Sequence, residues 1–214
     1  MFIKKLELVY ANQDPLSVTR GKVHEYLGMT VDFSKSGFCY MTQYDCIKKL
    51  WLELPDDWKK GTKNTPAPEY LFKVNDESCI LDDEKKDDYH TFTAKLLWIS
   101  QRSRPDIQLA TGFHCTRVKE PTEQDARKLK QLLAYLWKAR LLPLAIGIGE
   151  NGDALALTDG AHAAHMDAKG HSGLFVALGR GAMINASKKL GINTTSSAEA
   201  EVAPAGEKIG RAHV

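Results

Sequence analysis

Asp159 is the residue whose type and setting most directly suggest chemistry. It follows the run Ala154-Leu155-Ala156-Leu157-Thr158 and precedes Gly160, so the sequence places a carboxylate at a strand terminus, free to face a hard cation. Downstream, Ser196-Ser197-Ala198-Glu199-Ala200-Glu201 sets two acids at the expected opening of a helix. A strand-end Asp opposite a helical Glu is how a two-metal phosphodiesterase site begins, with the ions bridging a scissile phosphate and activating water. The same residues also read as a turn Asp and as first-turn acids favoured by a helix dipole. Three Asp-Asp pairs, Asp56-Asp57, Asp82-Asp83 and Asp87-Asp88, lack the second apolar strand that a polymerase pair needs, and they read as solvated loops. His162, His165, Asp167 and His171 could suggest zinc, but H-x-x-H is not the helical i, i+4 spacing, and flanking glycines favour a loop. Arg102, Arg104, Arg127, Lys128 and Lys130 form a basic group suited either to nucleic-acid phosphates or to a solvated helix face.

These residues need elements to position them. KVHEYLGMTVDF, the turn Ser34 to Gly37, and FCYMTQ predict two antiparallel strands. Tyr44 to Leu54 has helical spacing, with Ile47, Leu50 and Leu54 as its packing side and Pro55 as its stop. Pro55 to Asp88 reads as an exposed, acidic connection. Helical patterning resumes over Tyr89 to Ser100, again after Pro105, with Ile107, Ala110, Thr111 and His114 on one side, and most clearly from Glu123 to Arg140. Thr122 caps this last helix, and Arg127, Lys128, Lys130 and Lys138 lie off its apolar stripe. Beyond Leu144 the chain turns rich in Gly and Ala; ALALTDG, SGLFVALG and GAMINAS predict three short strands, with a boundary near residues 141 to 150.

The 214 residues suffice for one large or two small domains, and 29 basic against 27 acidic residues leave no bulk charge to announce a polyanionic partner. No apolar run reaches the roughly 18 residues of a bilayer span, so no membrane partner is expected. MFIKKLELVY is too short and too charged for a secretory signal, which makes an intracellular compartment the expectation. Four scattered cysteines without a C-x-x-C pair read as free, mostly buried thiols.

The order of segments adds a resemblance. HEYLGMTVDFSKSGFCYMTQYDCIKKL, TPAP, YHTFTAKLLWISQRSRPDIQLATGF, PTEQDARKLKQLLAYLW and LTDGAHAAHMDAKGHSGLFVALGRGAMINASKKLGINTTSSAEAEV together resemble the Pol polyprotein of copia-type LTR retrotransposons, over nearly the whole chain. The resemblance implies an α+β fold: a β-hairpin plus a helical thumb/connection-like region, followed by an incomplete RNase H-like three-stranded sheet. It divides the chain into the end of a reverse-transcriptase palm and start of a thumb (1–54), an irregular acidic connection (55–88), a helical thumb/connection region (89–143) and a truncated RNase H-like domain (144–208). The polymerase carboxylates are expected upstream, in an aromatic-x-Asp-Asp hairpin that this chain lacks.

Carried over by position, Asp159 and Glu201 match the first two RNase H carboxylates and Mg²⁺ ligands, whereas Glu199 matches a neighbouring non-ligand acid. The remaining carboxylates are expected beyond Val214. His162 and His171 stand near positions where the family has an aromatic residue and a threonine, Ala198 replaces a usual threonine, and Pro204 falls inside the expected helix, whose continuation it disfavours. The implied partners are an RNA–DNA hybrid or DNA duplex and the rest of the polyprotein, in a cytoplasmic particle or the nucleus. The implied function is RNA-directed DNA synthesis and hybrid RNA cleavage in the parent, with the fragment inactive alone. A non-catalytic nucleic-acid-binding remnant is the alternative. Lys208 to Val214 looks like a translated short-read sequencing adapter, so the natural sequence is expected to stop near Glu207 and 209–214 to be an adapter-derived tail.

Overall fold

The computed structural model describes residues 2–10, 16–148 and 153–209. Its class is mixed α+β, with six α-helices and two antiparallel sheets, of five and three strands, among the described residues.

The first sheet begins as a meander. Residues 22–33 hold two strands rather than one, β1 (Val23–Tyr26) and β2 (Met29–Asp32), because Leu27 and Gly28 both take positive φ, 49° and 73°, and close a two-residue turn. β3 (Cys39–Thr42) pairs with β2. β4 (Leu144–Ile148) then pairs with β3, and β7 (Gly179–Arg180) with β4. Strands from beyond the expected boundary therefore complete the N-terminal sheet, so the region starting at 144 is not a separate block. Ahead of this sheet, α1 (Phe2–Tyr10) carries no buried residue.

The core is helical. α2 (Tyr44–Glu53) buries Ile47 and Leu50, and Leu54 joins them as the chain leaves at Pro55. α3 (Asp83–Arg102) starts six residues before the patterning predicts, because the Asp82 carboxylate caps it by accepting from the Lys85 N–H. The pairs Asp82-Asp83 and Asp87-Asp88 thus begin a helix instead of lying in a loop. A short 3-10 turn at Pro105–Ile107 leads into α4 (Gln108–Arg117), and α5 (Glu123–Lys138) opens with a reciprocal cap between Thr122 and Asp125. Phe92, Leu96, Ile99, Leu129, Leu132 and Leu136 fill the space between these helices. Trp51 of α2 stacks on Trp137 of α5, with ring centroids 4.8 Å apart.

The segment 55–82 is less exposed than its composition suggests. Trp58, Leu71 and Leu81 are buried in the helical core, and the Lys128 ammonium donates to the carbonyls of Leu71 and Lys73 at 2.9 and 2.7 Å.

The second sheet is a meander of β5 (Leu155–Ala161), β6 (His171–Ala177) and β8 (Ile184–Lys189), in the order β5-β6-β8. Strand alternation turns Leu157, Asp159, Gly173, Phe175, Asn185 and Ser187 toward α4, where Gln108 donates to Asn185. The opposite face meets α6 (Ser197–Ile209). Contrary to expectation, α6 runs through Pro204. Pro204 cannot donate to the Ala200 carbonyl, and that carbonyl is the one pressed against Gly160. Residues 210–214 of the tail lie outside the described residues. None of the four cysteines is fully buried, and Cys79 is exposed. No helix among the described residues is long and apolar enough to cross a membrane.

Candidate functional site around Asp159

Asp159 sits within β5, two residues before its end, rather than at the terminus. Its Oδ1 accepts from the Gly160 N–H at 2.9 Å, and its side chain is exposed. The register Asp159↔Gly173↔Ser187 crosses the sheet, and the missing side chain of Gly173 opens a pocket of about 290 Å³. Leu157, Phe175, Asn185 and Leu109 complete the walls.

Gly160 brings Glu201 near. A Cβ on Gly160 would run into the Ala200 carbonyl, and it would lie 3.1 Å from the Glu201 N–H nitrogen, so the helix and strand backbones touch there. Asp159 and Glu201 thus flank one close strand–helix contact, although the carboxylates start from opposite faces of the sheet. β5 is an edge strand of its sheet. Glu201 is exposed, while Ala200 is the buried member of this turn. Glu199 has a different task. Its carboxylate accepts from the Thr195 N–H and hydroxyl at 2.6 and 2.7 Å, bonds that hold its pKa below the usual range and fix the start of α6.

The basic residues divide. Arg104 is 1% exposed; it grips Asp106 through two bonds of 2.9 and 2.7 Å and donates to the Ala139 carbonyl at 2.8 Å. Burial pushes the Asp106 carboxyl up, but the Arg104 guanidinium and Tyr135 hydroxyl outweigh it and hold the pKa low. Lys128 is 2% exposed, its ammonium 4.7 Å from the Phe113 ring centroid, and burial pulls its pKa down. Neither is placed to meet a phosphate. This corrects the expectation for both: each satisfies backbone carbonyls inside the fold. Lys130 lies between these cases, pairing with Asp57 at 2.7 Å beside the Trp58 ring. Arg102, stacked on Trp98, and Arg127 are exposed.

The histidines form bonds of their own. His162 Nδ1 lies 3.0 Å from the Thr194 hydroxyl, and Asp167 pairs with Lys189 at 2.7 Å. His165 Nε2 is 3.1 Å from His171 Nδ1, and His171 Nε2 is 2.7 Å from Ser187 Oγ. Ser187 carries little signal in the sequence, only its place in a strand two residues from Lys189, the register partner of His171. Among the described residues no group of three or more His, Cys, Asp or Glu side chains could hold a metal ion. Asp159 and Glu201 offer hard oxygen donors of the type Mg²⁺ takes, but two carboxylates do not make up a site. Compared with family models, curated proteins and solved structures, the chain matches none of them.

Proposed function

We propose that this chain is a segment of a copia-type reverse transcriptase and RNase H polyprotein, which acts on RNA–DNA hybrids in its parent and neither copies nor cleaves them alone. One observation carries the reading: a strand bearing Asp159-Gly160, followed by an antiparallel meander and a helix whose Ala200-Glu201 backbone packs on Gly160. A glycine beside the acid is what such a close strand–helix approach requires. The β1–β3 meander and the helices α2 to α5 support the palm-end and thumb-like assignment only through their order.

Mg²⁺ is proposed as the cofactor of the intact parent, with its binding to this pair alone weak or absent. Two protein ligands leave most of an octahedral shell to water, so no cleavage step is assigned to the chain. Binding to nucleic acid rests on Arg102 and Arg127, with Lys130 contributing where Asp57 releases it. Anisotropy titrations of a labelled RNA–DNA hybrid between about 50 and 200 mM salt test this. Weak binding is expected, with a log–log salt slope of about −2 to −3, losing roughly one unit for each of Arg102→Gln and Arg127→Gln. Binding that ignores both salt and these substitutions would remove the nucleic-acid reading.

A further inference from the structure

Ser187 of β8 and His171 of β6 share the sheet face that looks toward α4, and His165 of the β5–β6 loop continues the line. Ser187 Oγ is 2.7 Å from His171 Nε2, and the other nitrogen of that ring, Nδ1, is 3.1 Å from His165 Nε2. Both imidazoles are buried, and the Phe72 ring packs on each, with centroids 5.0 and 5.3 Å away. Two glycines neighbour Ser187. Gly173 is its register partner in β6, and Gly112 of α4 stands above, where an added Cβ would be 3.2 Å from the Ser187 carbonyl and 3.7 Å from His171 Cε1. Ser187 lines the pocket of about 290 Å³ described above.

We infer that Ser187 is a nucleophile for acyl transfer, with His171 as its general base and His165 as the residue that orients His171. This assignment is independent of the nucleic-acid reading. It requires His165 to be neutral and to present an unprotonated Nε2. Burial first, and Lys189 second, hold the His165 pKa down against the opposing pull of Asp167. His171 then carries its proton on Nδ1, donates it to His165, and offers Nε2 to the Ser187 hydroxyl.

Given an ester, Ser187 Oγ bonds to the acyl carbon as its proton passes to His171 Nε2. The carbon–oxygen bond to the alcohol breaks, and the departing oxygen takes that proton. Water reverses the sequence: its oxygen bonds to the acyl carbon, its proton visits His171, and the acyl–Oγ bond breaks as Ser187 is reprotonated. Asn185 lines the same pocket, with an amide to set against the developing oxyanion. Asp159 stands across Gly173, roughly 10 Å or two strand spacings from Ser187. Its negative charge suits small neutral or cationic esters over anionic ones.

A fluorophosphonate probe tests the assignment on the full chain, because labelling forms an Oγ–phosphorus bond and releases fluoride without needing a known substrate. Peptide mapping is expected to place the label on Ser187, and Ser187→Ala to abolish it. His171→Gln, which cannot accept the proton, is expected to slow labelling roughly hundredfold. His165→Phe should lose labelling too, while His165→Asp, which restores an acceptor for the His171 Nδ1 proton, should recover it. A purely structural His165 would leave the Asp variant as slow as the Phe variant. Circular dichroism on each variant confirms folding before rates are compared. An unlabelled wild-type chain, a label that survives Ser187→Ala, full labelling of His171→Gln, or no difference between folded His165→Asp and His165→Phe would each overturn the proposal.

Discussion

His114 shows at the level of one residue how burial sets chemistry. It is fully buried in α4, with its Nδ1 2.7 Å from the Tyr89 hydroxyl, and burial lowers its pKa from 6.5 to about 3. Between those values the unfolded chain binds a proton that the folded chain refuses. Stability is therefore complete above about pH 6.5 and falls as pH drops toward 3, by at most about 1.4 kcal/mol per unit. Denaturant titrations at pH 7.5 and 5 should show this loss, and His114→Gln should remove much of it. Arg104 and Lys128 yield a second expectation. Arg104→Ala strands Asp106 in a partly buried site and should cost about 3 kcal/mol, and Lys128→Met leaves the Leu71 and Lys73 carbonyls without their donor at about 2 kcal/mol. Hybrid affinity of both folded variants should stay near wild type; a tenfold loss in either would restore them to the phosphate-binding set. Spacing alone marks Lys128 as a charge off the apolar stripe and so as solvent-facing. The carbonyls it serves belong to residues more than fifty positions earlier, and helical periodicity has no view of them.

At the level of elements, Gly160 fixes how α6 meets β5. Gly160→Ala drives a methyl group into the Ala200 carbonyl, and because that obstacle is backbone, the helix must move. Hydrogen exchange should show α6 losing protection while α3 and α5 keep theirs; equal protection in the variant would mean that the contact is dispensable. α2, α4 and α5 were legible because their apolar residues recur at helical spacing and Pro55, Pro105 and Thr122 punctuate them. The three strands of the second sheet were legible from their glycine turns. The split of β1 from β2 was not, because it depends on Leu27 adopting positive φ, a state that a leucine rarely takes. Nor was the joining of β4 to β3, a pairing between residues about a hundred positions apart that no local pattern encodes.

For the whole molecule, the helical core and the second sheet differ in support. The helical core encloses its apolar residues, whereas β5 leaves Leu155 50% and Leu157 54% exposed and has no strand on its outer edge among the described residues. Amides of residues 155–189 should therefore exchange faster than those of α5; matching protection would contradict the picture of a half-covered sheet. Asp159 is legible as a candidate from its strand-then-glycine setting, and Glu201 from its place with Glu199 at the opening of a helix, whereas the choice between the two acids comes only from the resemblance. The most direct measurement is hybrid cleavage by this chain extended with the second half of a copia-type RNase H domain. Mg²⁺-dependent cleavage of the RNA strand is expected from the extended protein, falling by at least about a hundredfold in its Asp159→Asn and Glu201→Gln variants and absent from the chain alone. A folded extended protein that leaves the hybrid intact, or one that cleaves equally well without Asp159, would contradict the assignment.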